Sequence, residues 1–146
     1  MVDGKKLKKQ IIQIFKKHGL NEKHANIASS AIINAEIVGA HTHGLSRLKM
    51  YCDRIKKKVI NPKPKIKIKK ISQSISHVDA NNRIGFVAAD IGIKQAIKKN
   101  LITMIYTNAP PAVAPHGALK TLFGTNPICF GSPTGSKIPF ILDTSI

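Results

Sequence analysis

The sequence predicts an α/β chain in which a helical subdomain, residues 1–60, precedes a β-containing part, residues 61–146. Three observations carry this. The apolar residues recur at helical spacing up to about residue 60, then switch to strict alternation from Lys65. Pro62 and Pro64 sit at the switch, where a helix cannot continue. Beyond residue 100 the apolar runs are short and broken by Pro110, Pro111, Gly124 and Pro127, as strands separated by turns are.

Each element follows from its residues. Residues 5–18 carry Leu7, Ile11, Ile12 and Phe15 on one helical face, with lysines opposite and Gly19 as a stop. Asn21 caps a second helix, with Glu22 in its first turn and Ala25, Ala28, Ala31, Ile32 and Ala35 as the expected buried stripe. Gly39 ends it. A third helix presents Leu48, Cys52 and Ile55 inward and stops before Asn61-Pro62-Lys63-Pro64. Lys65-Ile66-Lys67-Ile68-Lys69 reads as a half-buried strand with one wet face, and residues 75–78 as its partner. The polar Asp79-Ala80-Asn81-Asn82 turn leads to Gly85 and a helix with Val87, Ile91, Ala96 and Ile97 as its apolar positions. Residues 101–106 read as a buried strand. Gly124-Thr125-Asn126-Pro127 reads as a tight turn into a strand over residues 128–131, in which Thr125 and Asn126 can bond their own backbone.

Composition removes several classes of function. The net charge of +17 comes from 21 lysines and only 3 arginines, with no tryptophan. Nucleic-acid binders of this basicity use arginine and stacking aromatics. Here the lysines spread along helix faces and strands, so a nucleic-acid-binding module is the lesser alternative. The positive field would still gather an anionic small molecule. Cys52 and Cys129 have no CxxC spacing and no secretory leader accompanies them, so they read as reduced thiols of a cytoplasmic protein. The apolar runs are too short for a membrane span, no metal-ligand spacing occurs, and neither GxGxxG nor GxxxxGK[ST] is present.

The chemistry concentrates in Ala40-His41-Thr42-His43-Gly44-Leu45-Ser46-Arg47-Leu48-Lys49-Met50-Tyr51. As a turn running into a helix, it would set His43, Arg47 and Tyr51 on one face at intervals of four. An arginine can grip a small carboxylate with its two-pronged fork, and a neighbouring imidazole can pass a proton to an adjacent carbonyl oxygen. The plain alternative at this spacing is a capping histidine and a surface arginine.

This stretch resembles the Ser-His-Gly-x-x-Arg-x-x-x-Tyr signature of the malate/L-lactate dehydrogenase family of NAD(P)-dependent 2-oxoacid reductases, which is unrelated to the Rossmann-type enzymes. Thr42 stands at the serine. Three further blocks are similar in order: Val78-Asp79-Ala80-Asn81-Asn82-Arg83-Ile84-Gly85, Ala114-Pro115-His116-Gly117 and Phe123-Gly124-Thr125-Asn126-Pro127. The resemblance implies part of a mixed β-sheet domain with a covering helix, an incomplete version of the family's fold, and hydride transfer between NAD or NADP and a 2-oxo or 2-hydroxy acid. It implies His43 as the catalytic proton donor and Arg47 with Thr42 as substrate-binding residues. It implies a cofactor site of Tyr51, Thr125, Asn126, Pro139, Phe140, Ile141, Leu142, Asp143, Thr144 and Ser145, and a homodimer. The departures matter as well. Relatives carry a further stretch between the helix ending near Lys99 and the next strand, with an Asn/Ser-x-His-x-Gly loop that is missing here. His116 does not replace that loop and reads as structural, and Ala109 stands where some relatives have a substrate-contacting serine. A truncated reductase is therefore the expectation, with a catalytically inactive fragment as its alternative.

Overall fold

The computed structural model describes residues 3–73, 75–107, 109–136 and 140–144. Along the chain run α1 (Gly4–Lys17), α2 (Glu22–Ile37), two 3-10 turns (His41–His43 and Leu45–Arg47), α3 (Leu48–Lys56), β1 (Lys67–Lys70), β2 (Ser76–Asp79), α4 (Gly85–Lys98), β3 (Thr103–Tyr106), β4 (Ile128–Ser132) and β5 (Phe140–Thr144). This is the α/β class read from the sequence, a helical region followed by a partial sheet domain with a helix against it. The chain divides into two compact units, Met1–Ile91 and Gly92–Ile146.

In the first unit the helices begin and end where local chemistry dictates. Asp3 caps α1 by accepting from the amides of Lys5 (2.8 Å) and Lys6 (3.4 Å). Gly19, at φ +93°, lets the chain leave α1 through the left-handed region. Asn21 then caps α2 by accepting from the His24 amide at 2.9 Å. Ile11 and Phe15 of α1 pack with Leu20, with Ala25, Ala28, Ile32 and Ile33 of α2, with Ile55 of α3, and with Ile60 and Ile84. The buried face of α2 is rotated from the expected stripe. Ser29 and Ile33 are buried, while Ala31 and Ala35 are only half-buried. Ser29 tolerates burial because its hydroxyl donates to the Ala25 carbonyl at 2.6 Å.

The β1–β2 ribbon is antiparallel, with Ile68 opposite Val78. The expected strand forms, but it is not half-buried: all four β1 residues are exposed, Ile68 at 48%. Alternation specifies a pleat, but burial needs a second layer, and a two-stranded ribbon has none of its own.

In the second unit β3, β4 and β5 form an antiparallel sheet in that order, with Met104 opposite Phe130 and Phe130 opposite Leu142. All pairings among the described strands are antiparallel. The C-terminal half of α4 lies over one face, where Ile93 and Ile97 line an apolar cavity of about 350 Å³ together with Ile105, Cys129, Gly131 and Ile141. The other face carries Met104, Tyr106, Phe130, Phe140 and Leu142, with Phe130 and Phe140 in edge contact at 6.1 Å. The strand expected to be buried over residues 101–106 is thus exposed at alternate positions, Met104 and Tyr106 being the outward ones. Among the described residues no helix is long and apolar enough to cross a membrane.

Candidate active site

The stretch from Ala40 to Tyr51 is held by a residue that lies before it. Gly39, at φ +80°, releases the chain from α2. The carboxylate of Glu36, in the last turn of α2, then reaches forward into the two 3-10 turns. It accepts from the Leu45 amide at 2.6 Å and pairs with His41 Nδ1 at 2.7 Å. Gly44 lies directly against it, and a Cβ at Gly44 would overlap the carboxylate. The His41 hydrogen bond, followed by the Leu45 amide, holds the Glu36 carboxyl below its ordinary range despite some burial. Ser46 adds a bond from its hydroxyl to the His41 carbonyl at 2.8 Å.

Within this clamped turn Thr42 joins the two residues of interest. Its hydroxyl meets His43 Nδ1 at 3.0 Å, and its carbonyl accepts from Arg47 Nε at 2.6 Å. His43 is exposed and Arg47 half-buried. Among the described residues the His43 Nε2 and the terminal guanidinium nitrogens of Arg47 have no other partner. The single helical face expected for His43, Arg47 and Tyr51 is not what forms. His43 and Arg47 lie on separate 3-10 turns broken at Gly44, and α3 starts only at Leu48. The cause is the Glu36 carboxylate, which takes the Leu45 amide that a continuous helix would use internally.

Tyr51 lies on α3, after the two 3-10 turns. Its ring packs edge-on against Phe86 at 5.7 Å, beside the core cluster, and burial raises its phenol above the usual range against the lowering pull of Arg47 and Arg54. In the second unit, Thr125 is half-buried and Asn126 sits at φ +36°. Asn126 does not bond its own turn: its Oδ1 accepts from the Ala109 amide at 3.1 Å and fixes the loop before it. A Cβ at Gly124 would strike the Ala109 carbonyl, so glycine is required there. Phe140, Ile141, Leu142, Asp143 and Thr144 form β5. β5 pairs only with β4 among the described strands. Its outer edge therefore offers backbone donors and acceptors of the kind ribose and pyrophosphate oxygens use. Pro139 and Ser145 lie outside the described residues. His116 is exposed in a turn closed by the Ala118 amide on the Pro115 carbonyl at 2.9 Å.

Fold and turn together define a non-Rossmann α/β chain that presents a histidine and an arginine from one clamped turn. The chain belongs to the malate/L-lactate dehydrogenase family, which matches residues 2–100 and 91–146. Residues 91–100 fall in both stretches. An L-sulfolactate dehydrogenase of Methanocaldococcus jannaschii is 31% identical over 93% of this chain and 48% of its own. A malate dehydrogenase of Pyrococcus horikoshii is 30% identical over 91% of this chain and 45% of its own. The solved structure of malate dehydrogenase from P. horikoshii superposes on 99% of this chain and 50% of its own, with a TM-score of 0.84 at 29% identity. The sulfolactate dehydrogenase structure from M. jannaschii gives 0.81 at 28% identity, again over 99% of this chain and 50% of its own. The chain thus spans about half the length of the relatives it matches.

Proposed function

We propose that this chain carries the substrate-side chemistry of an NAD(P)-dependent 2-oxoacid reductase, and that the turn over residues 41–47 is where it acts. The observation that supports this most is the Thr42 bridge. One residue orients both an imidazole and a guanidinium, and leaves the acidic end of each pointing away from its tether.

With the Thr42 hydroxyl accepting from Nδ1–H, a protonated His43 carries its second proton on Nε2 and becomes a neutral Nδ1–H imidazole when it gives that proton up. That proton passes to the carbonyl oxygen of a 2-oxo acid as the carbonyl carbon becomes a 2-hydroxy centre, and in the reverse direction Nε2 takes it back. Arg47, anchored through Nε, has its two terminal nitrogens for the substrate carboxylate, which fixes the carbonyl relative to His43. A bound nicotinamide supplies the hydride. The edge of β5, with Thr125 beside the Asn126 turn, is the part of this chain whose donors suit a dinucleotide. Pro139 and Ser145 are assigned to the same stretch by the family resemblance, and Tyr51 to the pocket wall. The proposal includes NAD or NADP as the carrier, a homodimer, and a cytoplasmic setting. Two cysteines not joined in a disulfide suit a reducing compartment.

The test is Arg47→Lys in the intact protein, assayed with NADH and NADPH against a panel of 2-oxo acids. Lysine keeps the charge but loses both the fork and the Nε tether. The KM for the 2-oxo acid should rise about tenfold or more while cofactor affinity, read by fluorescence titration, stays unchanged. An unchanged KM would remove Arg47 from the substrate site.

A further inference from the structure

Arg83 belongs to one of the four blocks that stand out in the sequence, yet nothing in the 2-oxoacid chemistry uses it. It leaves the Asn81-Asn82 turn, where both asparagines adopt positive φ (+48° and +56°), and crosses to α2. There its guanidinium lies on the His24 ring, with Nη1 2.8 Å from Nε2 and Nη2 2.6 Å from Nδ1. The same guanidinium lines a notch of about 490 Å³ whose other walls are Lys16, Gly19, Leu20, Asn21, Lys63 and Pro64. Three cations from three separate segments therefore converge on one concavity within the first unit.

The charge balance of this notch is specific. Lys16 is paired with Glu22 at 2.5 Å. Lys63 has no side-chain partner among the described residues. A neutral imidazole accepts from one guanidinium N–H at most, so Arg83 keeps donors for a ligand while His24 fixes its plane. Two positive charges remain uncompensated, beside the N-terminal end of α2. We propose that this notch is a binding site for a doubly charged phosphate, either the free ion or a phosphate monoester. A planar fork and a mobile ammonium facing one concavity are the donor set that a tetrahedral dianion takes. The volume leaves room for an ester group. Burial, then the charges of Arg83 and Lys23, hold His24 below its usual range, so it stays a neutral support for Arg83.

The experiment is a titration of the full chain with inorganic phosphate at constant ionic strength, balanced with chloride, followed by backbone amide chemical shifts. The expected result is saturable shifts confined to Gly19, Leu20, Asn21 and Arg83. The affinity should fall about tenfold in Arg83→Gln and in the exposed-residue variant Lys63→Gln, and be unchanged in Lys98→Gln. Because Arg83 also contacts His24, the Lys63→Gln result decides if Arg83→Gln fails to fold. Adenosine monophosphate distinguishes the sources: tighter binding than orthophosphate assigns a monoester, equal binding the free ion. Non-saturating shifts spread over all the lysine faces, or wild-type affinity in Lys63→Gln, would overturn the site.

Discussion

At the scale of single residues, the candidate site depends on Glu36 as much as on His43 and Arg47. Its carboxylate is held ionised by His41 and the Leu45 amide, so its folded-state pKa lies below the ordinary value of 4.5. A depressed carboxyl contributes stability that is fully present above the unfolded value and is lost as pH falls through the folded one. Glu36→Gln should therefore flatten the loss of stability below about pH 4.5, measured by urea unfolding between pH 7 and pH 3. The same variant should lower reductase activity by on the order of 100-fold at neutral pH, since a turn displaced by an ångström misplaces His43. Equal acid sensitivity in variant and wild type would remove Glu36 from the clamp. His43 and Arg47 were legible in the sequence because the motif is local. Glu36 was not, because its role exists only once α2 and the turn fold back on each other. The small signal that could have found it is Gly44, a position where any side chain would displace something.

At the scale of elements, the order of helices and strands followed from periodicity and from Asn21, Gly19, Gly39 and Pro62, which act within a few residues. Burial did not follow, because it depends on what another layer does. The lysine-isoleucine alternation made β1, yet Ile68 is exposed. Residues 101–106 made β3, yet only alternate side chains face α4. Beneath α4 the sheet is loosely filled at Gly131, a central-strand glycine with nothing within 4 Å of a would-be Cβ and with an apolar cavity of about 350 Å³ beside it. Gly131 has no positive φ to preserve. Gly131→Ala should stabilise the protein by about 0.5–1 kcal/mol, by restricting the unfolded chain. A urea midpoint at or below that of the wild type would show that α4 packs more closely on this strand than the cavity implies.

At the scale of the whole chain, the two units differ in how much they bury. The core residues from Ile11 to Val87 all belong to the first unit. The described part of the second exposes Met104, Tyr106, Phe140 and Leu142 at 53–66% on one sheet face. The chain, which spans about half of its relatives' length, has its buried core in the first unit and, among the described residues of the second, a sheet that leaves large apolar side chains exposed. Amide hydrogen exchange should follow this division, with interior amides of α1 and α2 exchanging about tenfold or more slowly than those of β3–β5. Uniform protection would contradict it. The central claim concerns the clamped turn, and it is tested most directly by NADH and NADPH oxidation at 340 nm with 2-oxo acids, comparing the wild type with His43→Ala. The account predicts turnover by the wild type and a loss of about 100-fold or more in kcat for the variant, with cofactor binding retained. Equal turnover by the two proteins, or cofactor binding by a folded wild type without any turnover, would contradict it.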